Sequence, residues 1–136
     1  MMAGARYVLD ANILTAILKR DPVATGRVNS ALQSNAEFVM CPVVFYEVYR
    51  GLLHKDARKQ LGFLLHYIGT YTWDDLKRPD WEQAAKLWAE LRRKGVTASD
   101  ADLLIAAYAI QRRATVVTDN TDHFLPLGAP VENWLR

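Results

Sequence analysis

The chain has 136 residues, of which 51% are hydrophobic and 24% charged, as is typical of a soluble globular protein with a buried core. The formal net charge of +2 permits a polyanionic partner without requiring one. The single cysteine, Cys41, excludes an internal disulfide, and no apolar run or signal-peptide pattern indicates a membrane span or secretion. We therefore expect one cytoplasmic domain over residues 1–136 without a membrane partner, and Cys41 as a small buried residue.

Strand-like and helix-like stretches alternate along the chain. Apolar runs predict strands at 5–9, 37–41, 70–73, 115–118 and 129–133. Helical spacing, Asp-Pro and Pro starts and a closing glycine predict helices at 13–20, 21–36, 42–55, 57–69, 79–95 and 99–114. This alternation is typical of an α/β fold whose parallel sheet is covered on both faces.

The first strand ends in a carboxylate, in the stretch "RYVLDANIL". In parallel sheets ligands bind beyond the carboxyl ends of the strands, so Asp10 is placed at the functional edge. The alternative is that Asp10 and Asn12 only cap the following helix.

Further acids fall at comparable places. Asp119 and Asp122 follow the strand "TVVT", and Asp100 and Asp102 lie in the first turn of a helix. For this second pair a capping box with Ser99 is an equally good explanation. A carboxylate fixed by its cap would also be a well-positioned metal ligand.

Glu47 lies in the apolar helix "PVVFYEVYRGL", which offers it little polar surface. Its alternative role is a salt bridge to Arg50 one turn later. If Asp10, Glu47, Asp102 and Asp119 converge, their mutual repulsion requires a cation, and oxygen ligands favour Mg²⁺ or Mn²⁺. That chemistry suggests metal-assisted hydrolysis of a phosphodiester.

The segments "VLDANIL", "CPVVFYEVYRGL", "SDADLLIAAYAI", "VVTDNTDHF" and "PVENW" together resemble a PIN domain, and more closely the VapC-type toxins of toxin–antitoxin pairs. The resemblance implies a three-layer α/β/α sandwich with a mainly parallel sheet and an endoribonuclease dependent on Mg²⁺ or Mn²⁺. Asp10 and Asp102 would be the main metal ligands, Glu47 would orient a water, and Asn12 would support Asp10. Metal-activated water would then cleave RNA to leave a 5′-phosphate and a 3′-hydroxyl.

The fourth acid of the pocket is less well defined by the resemblance. Some family members place it in the "TDN" segment and others just before the phenylalanine, where this chain has His123. We therefore choose Asp119, with Asn120 and Asp122 as substitutes, and Asp100 as an auxiliary acid.

The partners implied by the resemblance are RNA, a small antitoxin and a second copy of the chain. Basic residues that could contact RNA are Lys19 with Arg20, Arg50, Lys55, Arg92 to Lys94, and Arg112 with Arg113, although several of these end helices and could serve only the helix dipole. We expect Trp81 and Trp88 to pack in the core, with a partner interface as the alternative; the helix pair around Leu52 to Ile68 is another candidate surface.

Other functions remain as alternatives. A haloacid-dehalogenase-type phosphatase needs a second aspartate at the position of Asn12. A non-catalytic PIN-like scaffold that binds RNA or protein would be expected to lack one of the pocket acids, and all the expected positions are filled here.

Overall fold

Parallel strands form the centre of the molecule in the computed structural model, which describes residues 4–136. The strands are β1 (Arg6–Leu9), β2 (Glu37–Met40), β3 (Thr72–Trp73), β4 (Thr115–Val117) and β5 (Val131–Glu132). They form one five-stranded sheet in the order β3-β2-β1-β4-β5. The chain moves outward from β1 to β3 and then returns to the other side of β1. The order of strands therefore reverses between β1 and β4, which is the place where open α/β sheets bind ligands.

Helices follow every strand except the last. They are α1 (Ala11–Leu18), α2 (Pro22–Gln33), α3 (Pro42–His54), α4 (Arg58–Ile68), α5 (Arg78–Arg93), α6 (Asp100–Gln111) and α7 (Thr121–Phe124), with a 3₁₀ turn at Leu125–Leu127. The first six confirm the prediction with small shifts at their ends. The prediction missed α7 and the 3₁₀ turn, because so short a segment shows no helical period. Within residues 4–136, none of these helices has the length and apolar character needed to span a bilayer.

Apolar side chains pack on both faces of the sheet. Successive strand residues point to opposite faces. Val8 belongs to the core that α3 to α6 cover, to which α1 also contributes, whereas Leu9 belongs to the core that α1 and α2 cover. Val116 and Val117 on β4 divide in the same way. The predicted three-layer α/β/α architecture is confirmed.

Cys41 lies at the end of β2 in the larger of these cores. Its side chain is 1% exposed, and burial raises the pKa of the thiol to about 11. The prediction of a small buried residue is confirmed, and the thiol is held in its unreactive protonated form.

The prediction that Trp81 and Trp88 belong to the core is wrong. Both side chains are about half exposed, at 53% and 45%. The buried face of α5 consists of Asp80, Ala84, Leu87 and Leu91. The tryptophans lie on the flank of this face, because the apolar stripe of the helix is wider than the surface that α6 covers. They line a groove of about 350 Å³, to which Ala85, Leu103 and Leu104 also contribute.

Arg112, predicted among the candidate RNA contacts, instead forms a buried ion network. Its guanidinium binds Asp74 and Asp80 at 2.7 Å each and stacks over the ring of Tyr108. Only 10% of its side chain is exposed. Burial by itself would raise the pKa of Asp74, but hydrogen bonds from Arg112 and Lys77 lower it. The side chain is therefore not free to bind RNA, and it joins the end of α6 to α5 and to the segment after β3.

Candidate active site

Asp10 is fixed at the junction of β1, α1 and β4. Its Oδ1 accepts a hydrogen bond from the N–H of Ala11 at 2.8 Å, and its Oδ2 accepts one from the hydroxyl of Thr118 at 2.8 Å. The amide of Asn12 donates to the same Oδ2 at 3.4 Å. Asp10 is thus the N-cap of α1, as the simpler explanation held. Capping alone does not explain why the residue is buried. Asp10 lies at the carboxyl end of β1 and is only 6% exposed.

The ionised form of Asp10 is poorly stabilised at this place. Burial raises the pKa of the carboxyl group, and the nearby charge of Asp102 raises it further. The hydrogen bonds from Thr118, Ala11 and Asn12 lower the pKa but do not cancel the effect of burial. A cation next to Asp10 would reverse this balance.

Glu47 and Asp102 bring two more acids from different helices. Burial raises the pKa of Glu47, the charges of Asp10 and Asp102 add to that rise, and Arg50 lowers it. Asp102 lies in the first turn of α6, where its N–H donates to Ser99 Oγ at 3.1 Å. This is one half of the expected capping box. Among the contacts within residues 4–136, the Asp102 carboxylate forms no hydrogen bond or ion pair, so it is available to a ligand.

Arg50 does not neutralise Glu47 by direct contact. Its guanidinium lies over the ring of Tyr46, with Cζ 4.9 Å from the centroid, and no ion pair joins it to Glu47 in the described part of the chain. The salt bridge considered as the alternative role of Glu47 is therefore not formed. Arg50 is exposed beside the acids and can approach an anion.

Asp119 follows β4 but turns its carboxylate towards the C-terminal segment. Its N–H donates to Asn12 Oδ1 at 3.0 Å, which ties its backbone to the Asp10 site. Its Oδ1 accepts a hydrogen bond from Asn133 at 3.1 Å and lies 3.9 Å from the guanidinium of Arg136. The backbone of Asp119 is thus tied to the Asp10 site, whereas its carboxylate is already partly paired with Asn133 and Arg136.

The substitutes and the auxiliary acid lie at the margins of this site. Asn120 is exposed and donates its N–H to the hydroxyl of Thr118 at 3.0 Å. Asp122 is exposed and shares the wall of one cavity with Asp102. Asp100 is exposed and lines the groove of Trp81 and Trp88 instead.

Thr118 belongs to the site, although it was not predicted from the sequence. It is fully buried, and its hydroxyl contacts Asp10, Asn12 and the backbone of Asn120. In the sequence it was indistinguishable from an ordinary strand residue of "TVVT". The available sign was its position, since a hydroxyl at the carboxyl end of a strand next to β1 must face the same edge as Asp10.

The donor set suits a hard divalent cation. Within residues 4–136, no three acidic, histidine or cysteine side chains stand close enough to form a metal site by themselves. Mg²⁺, however, commonly binds through one or two carboxylates and completes its shell with water and phosphate oxygens. The buried, repelled carboxylate of Asp10 and the unpaired carboxylate of Asp102 match that requirement.

Comparison with known proteins finds similar sequences and structures that agree with one another. The profile of the family described as PIN domain matches residues 7–126. The curated protein "Ribonuclease VapC2" of Rickettsia felis is 27% identical over 130 residues, which cover 94% of this chain and 97% of that protein.

Solved structures share the fold over nearly the whole chain. A chain from the crystal structure of VapBC2 from Rickettsia felis, bound to a promoter DNA fragment, matches with a TM-score of 0.85 and 26% identity, covering 95% of this chain and 98% of that one. DNA-bound VapBC from Salmonella typhimurium matches with a TM-score of 0.82 and 22% identity, covering 96% and 98%.

Proposed function

The chain belongs to the PIN domain family, and on that basis we propose that it is a metal-dependent endoribonuclease, the VapC-type toxin of a toxin–antitoxin pair. We further propose that residues 1–136 form a single such domain. The observation that carries this proposal is the placement of Asp10, buried at the end of β1 at the reversal point of the sheet, near enough to Asp102 for the charge of Asp102 to raise its pKa and near enough to Glu47 to raise the pKa of Glu47. A relative described as a ribonuclease supports RNA as the substrate.

Asp10 and Asp102 would hold Mg²⁺ or Mn²⁺, with Glu47 completing the acidic pocket. The ion would supply a nucleophile at neutral pH and would neutralise charge that develops on the phosphoryl oxygens. Asp119 is the proposed fourth acid. For it to act on an ion directly, its carboxylate must exchange the hydrogen bond with Asn133 for one with the site.

Glu47 is suited to take the proton of the attacking water. Its raised pKa makes its carboxylate a better base than an ordinary glutamate, since proton transfer is most efficient when the pKa approaches the working pH. As the bond between water oxygen and phosphorus forms, the bond to the 3′-oxygen breaks and that oxygen takes a proton from solvent. Thr118 and Asn12 keep Asp10 in one orientation throughout.

Arg50 is the proposed contact for an RNA phosphate near the acids. It is exposed and its guanidinium is held in place by Tyr46, so it can donate to phosphate without breaking an ion pair. The haloacid-dehalogenase alternative loses its basis, because the chain belongs to another family and Asn12 is occupied in holding Asp10 and Asp119.

The chain is proposed to act in the cytoplasm with a small antitoxin and as a homodimer. The structures that it resembles include VapBC complexes, which supports an antitoxin partner. The groove lined by Trp81 and Trp88 is the surface proposed for self-association, because large exposed aromatics are enriched in interface cores.

Incubation of the purified chain with transfer and ribosomal RNA, with Mn²⁺, Mg²⁺ or a chelator, tests the proposal. We expect discrete fragments with 5′-phosphate ends that disappear when the metal is chelated. Intact RNA in every condition would leave the non-catalytic scaffold as the explanation of the fold.

A further inference from the structure

A cavity of about 530 Å³ opens beside the acids, between the loop that joins α5 to α6 and the segment formed by α7 and the 3₁₀ turn. Thr97 and Ser99 line it from the loop, and His123 and Leu127 line it from the opposite side. Asp102 forms part of its wall. Asp102 is therefore shared by this cavity and by the acid cluster of Asp10, Glu47 and Asp102.

The side chains that line the cavity suit a flat heteroaromatic ring with polar edges. Leu127 and Pro126 offer apolar surface to the face of a ring, and the exposed His123 can stack on it. Asp122 contributes a carboxylate, which can only accept hydrogen bonds when ionised.

We infer that this cavity binds the unpaired base of the nucleotide next to the scissile phosphate, with His123 stacking on the base and Asp122 reading its edge. The inference rests on the proposed ribonuclease function. A phosphate held at Asp10 and Asp102 would bring the neighbouring nucleotide close to the cavity, because Asp102 also forms part of the cavity wall.

Asp122 predicts which base is preferred. Guanine alone presents two adjacent N–H donors, N1 and N2, to both oxygens of a carboxylate, whereas uracil flanks its single N–H with two repelling carbonyl oxygens. Guanine is therefore favoured at this position and uracil is disfavoured.

Basic residues that directly precede the lining loop can hold the RNA backbone. Arg93 and Lys94 are exposed at the end of α5, directly before Gly95 and the lining loop. Neither takes part in an ion pair within residues 4–136. Two unpaired cations next in sequence to the lining loop would offset the repulsion between the acids and the RNA phosphates.

The first test maps cleavage sites by sequencing the ends of fragments made by the wild-type chain, Asp122→Asn and His123→Ala. The matched controls are Asp56→Asn and His54→Ala, which change the same residue types at exposed positions away from the site. We expect wild type and controls to cut next to guanine, Asp122→Asn to lose that preference, and His123→Ala to cut more slowly without moving the sites.

Cleavage by wild type without a base preference overturns the inference but leaves the ribonuclease proposal intact. An Asp122→Asn variant that cuts every site more slowly by the same factor would also overturn the inference, because Asp122 would then act as a catalytic acid. That result too would leave the ribonuclease proposal intact. Absence of cleavage by wild type overturns both.

The second test measures binding without turnover. In an Asp10→Asn background, the Kd is determined by fluorescence anisotropy for an oligouridine and for the same strand with one guanosine. The guanosine strand should bind about tenfold more tightly, a typical discrimination for one bidentate base contact. Asp122→Asn should abolish the difference, and equal binding of both strands by the parent would contradict the inference.

Discussion

Thr118 donates a 2.8 Å hydrogen bond to Oδ2 of Asp10, and this bond joins the ends of β4 and β1 at the centre of the acid cluster. The same hydroxyl accepts the N–H of Asn120 at 3.0 Å. One buried side chain therefore fixes both the principal carboxylate and the start of the segment that carries α7.

Thr118→Val tests this role, because valine keeps the shape of threonine and removes the hydroxyl. We expect cleavage and Mn²⁺ affinity to fall by about 10- to 100-fold, as is usual when the group that orients a metal ligand is lost. Affinity is measured by calorimetry and cleavage by fragment yield. Thr118→Ser, which keeps the hydroxyl, should retain most of both, and an unaltered valine variant would show that Asp10 needs no such support.

The raised pKa of Asp10 predicts a particular dependence of stability on pH. The unfolded chain ionises this group at about pH 3.9, whereas the folded chain resists its ionisation and holds the proton to higher pH. In metal-free protein, the contribution of Asp10 to the free energy of unfolding should therefore decline as the pH rises from about 4 through the folded pKa. The total decline is about 1.4 kcal/mol for each unit by which the folded pKa exceeds the unfolded pKa.

Urea unfolding of wild type and Asp10→Asn in chelator, across this range of pH, isolates the effect as a difference between the two proteins. Added Mg²⁺ should stabilise wild type near neutral pH and leave Asp10→Asn almost unchanged, because the ion binds the ionised carboxylate. A difference that grows in favour of wild type as pH rises, without metal, would contradict the environment described for Asp10.

Arg112→Met should destabilise the fold strongly. It leaves Asp80, which is 1% exposed, as a buried charge without its partner, and such changes cost about 3–5 kcal/mol. Combining it with Asp80→Asn should recover part of the loss in a urea titration. Arg113→Met, at the exposed neighbouring position, is the control and should have little effect; equal effects of the two single variants would refute the structural role of Arg112.

Replacing both Trp81 and Trp88 by serine should separate association from folding. Because both side chains are about half exposed, we expect a change of about 1 kcal/mol or less in unfolding free energy for each. In sedimentation velocity the wild type should form a dimer and the double variant a monomer, while Trp73→Ser, another exposed tryptophan, should leave the dimer intact. A double variant that still dimerises would place the interface elsewhere.

The sequence allowed the fold and the approach of the main acids to be predicted, because both follow from periodicity and the geometry of parallel strands. Asp10 lies at the end of β1 and Asp102 in the first turn of α6, as expected from their positions along the chain. The charge of Asp102 raises the pKa of Asp10, and both acids raise the pKa of Glu47, which is consistent with the predicted pocket. Their roles as ligands remain predictions.

Other features depend on contacts between residues far apart in the sequence, which periodicity does not reveal. The apolar stripe of α5 predicted a buried face but could not show which edge of it α6 would cover, so Trp81 and Trp88 were placed wrongly. Arg112 resembled a dipole-stabilising or RNA-binding residue because its partners Asp74 and Asp80 are more than thirty positions away. Thr118 and the link between Asp119 and Asn133 were missed for the same reason.

Cooperation between Asp10 and Asp102 is the central claim, and single-turnover RNA cleavage in Mn²⁺ tests it most directly. The proteins compared are wild type, Asp10→Asn, Asp102→Asn, the double variant and the exposed control Asp56→Asn. We predict that each single site variant loses about a hundredfold or more in rate, and that the double variant is hardly slower, because residues acting as one unit are not additive. The control should cut at the wild-type rate. Cleavage by Asp102→Asn at the wild-type rate, or losses that simply multiply in the double variant, would contradict a shared site.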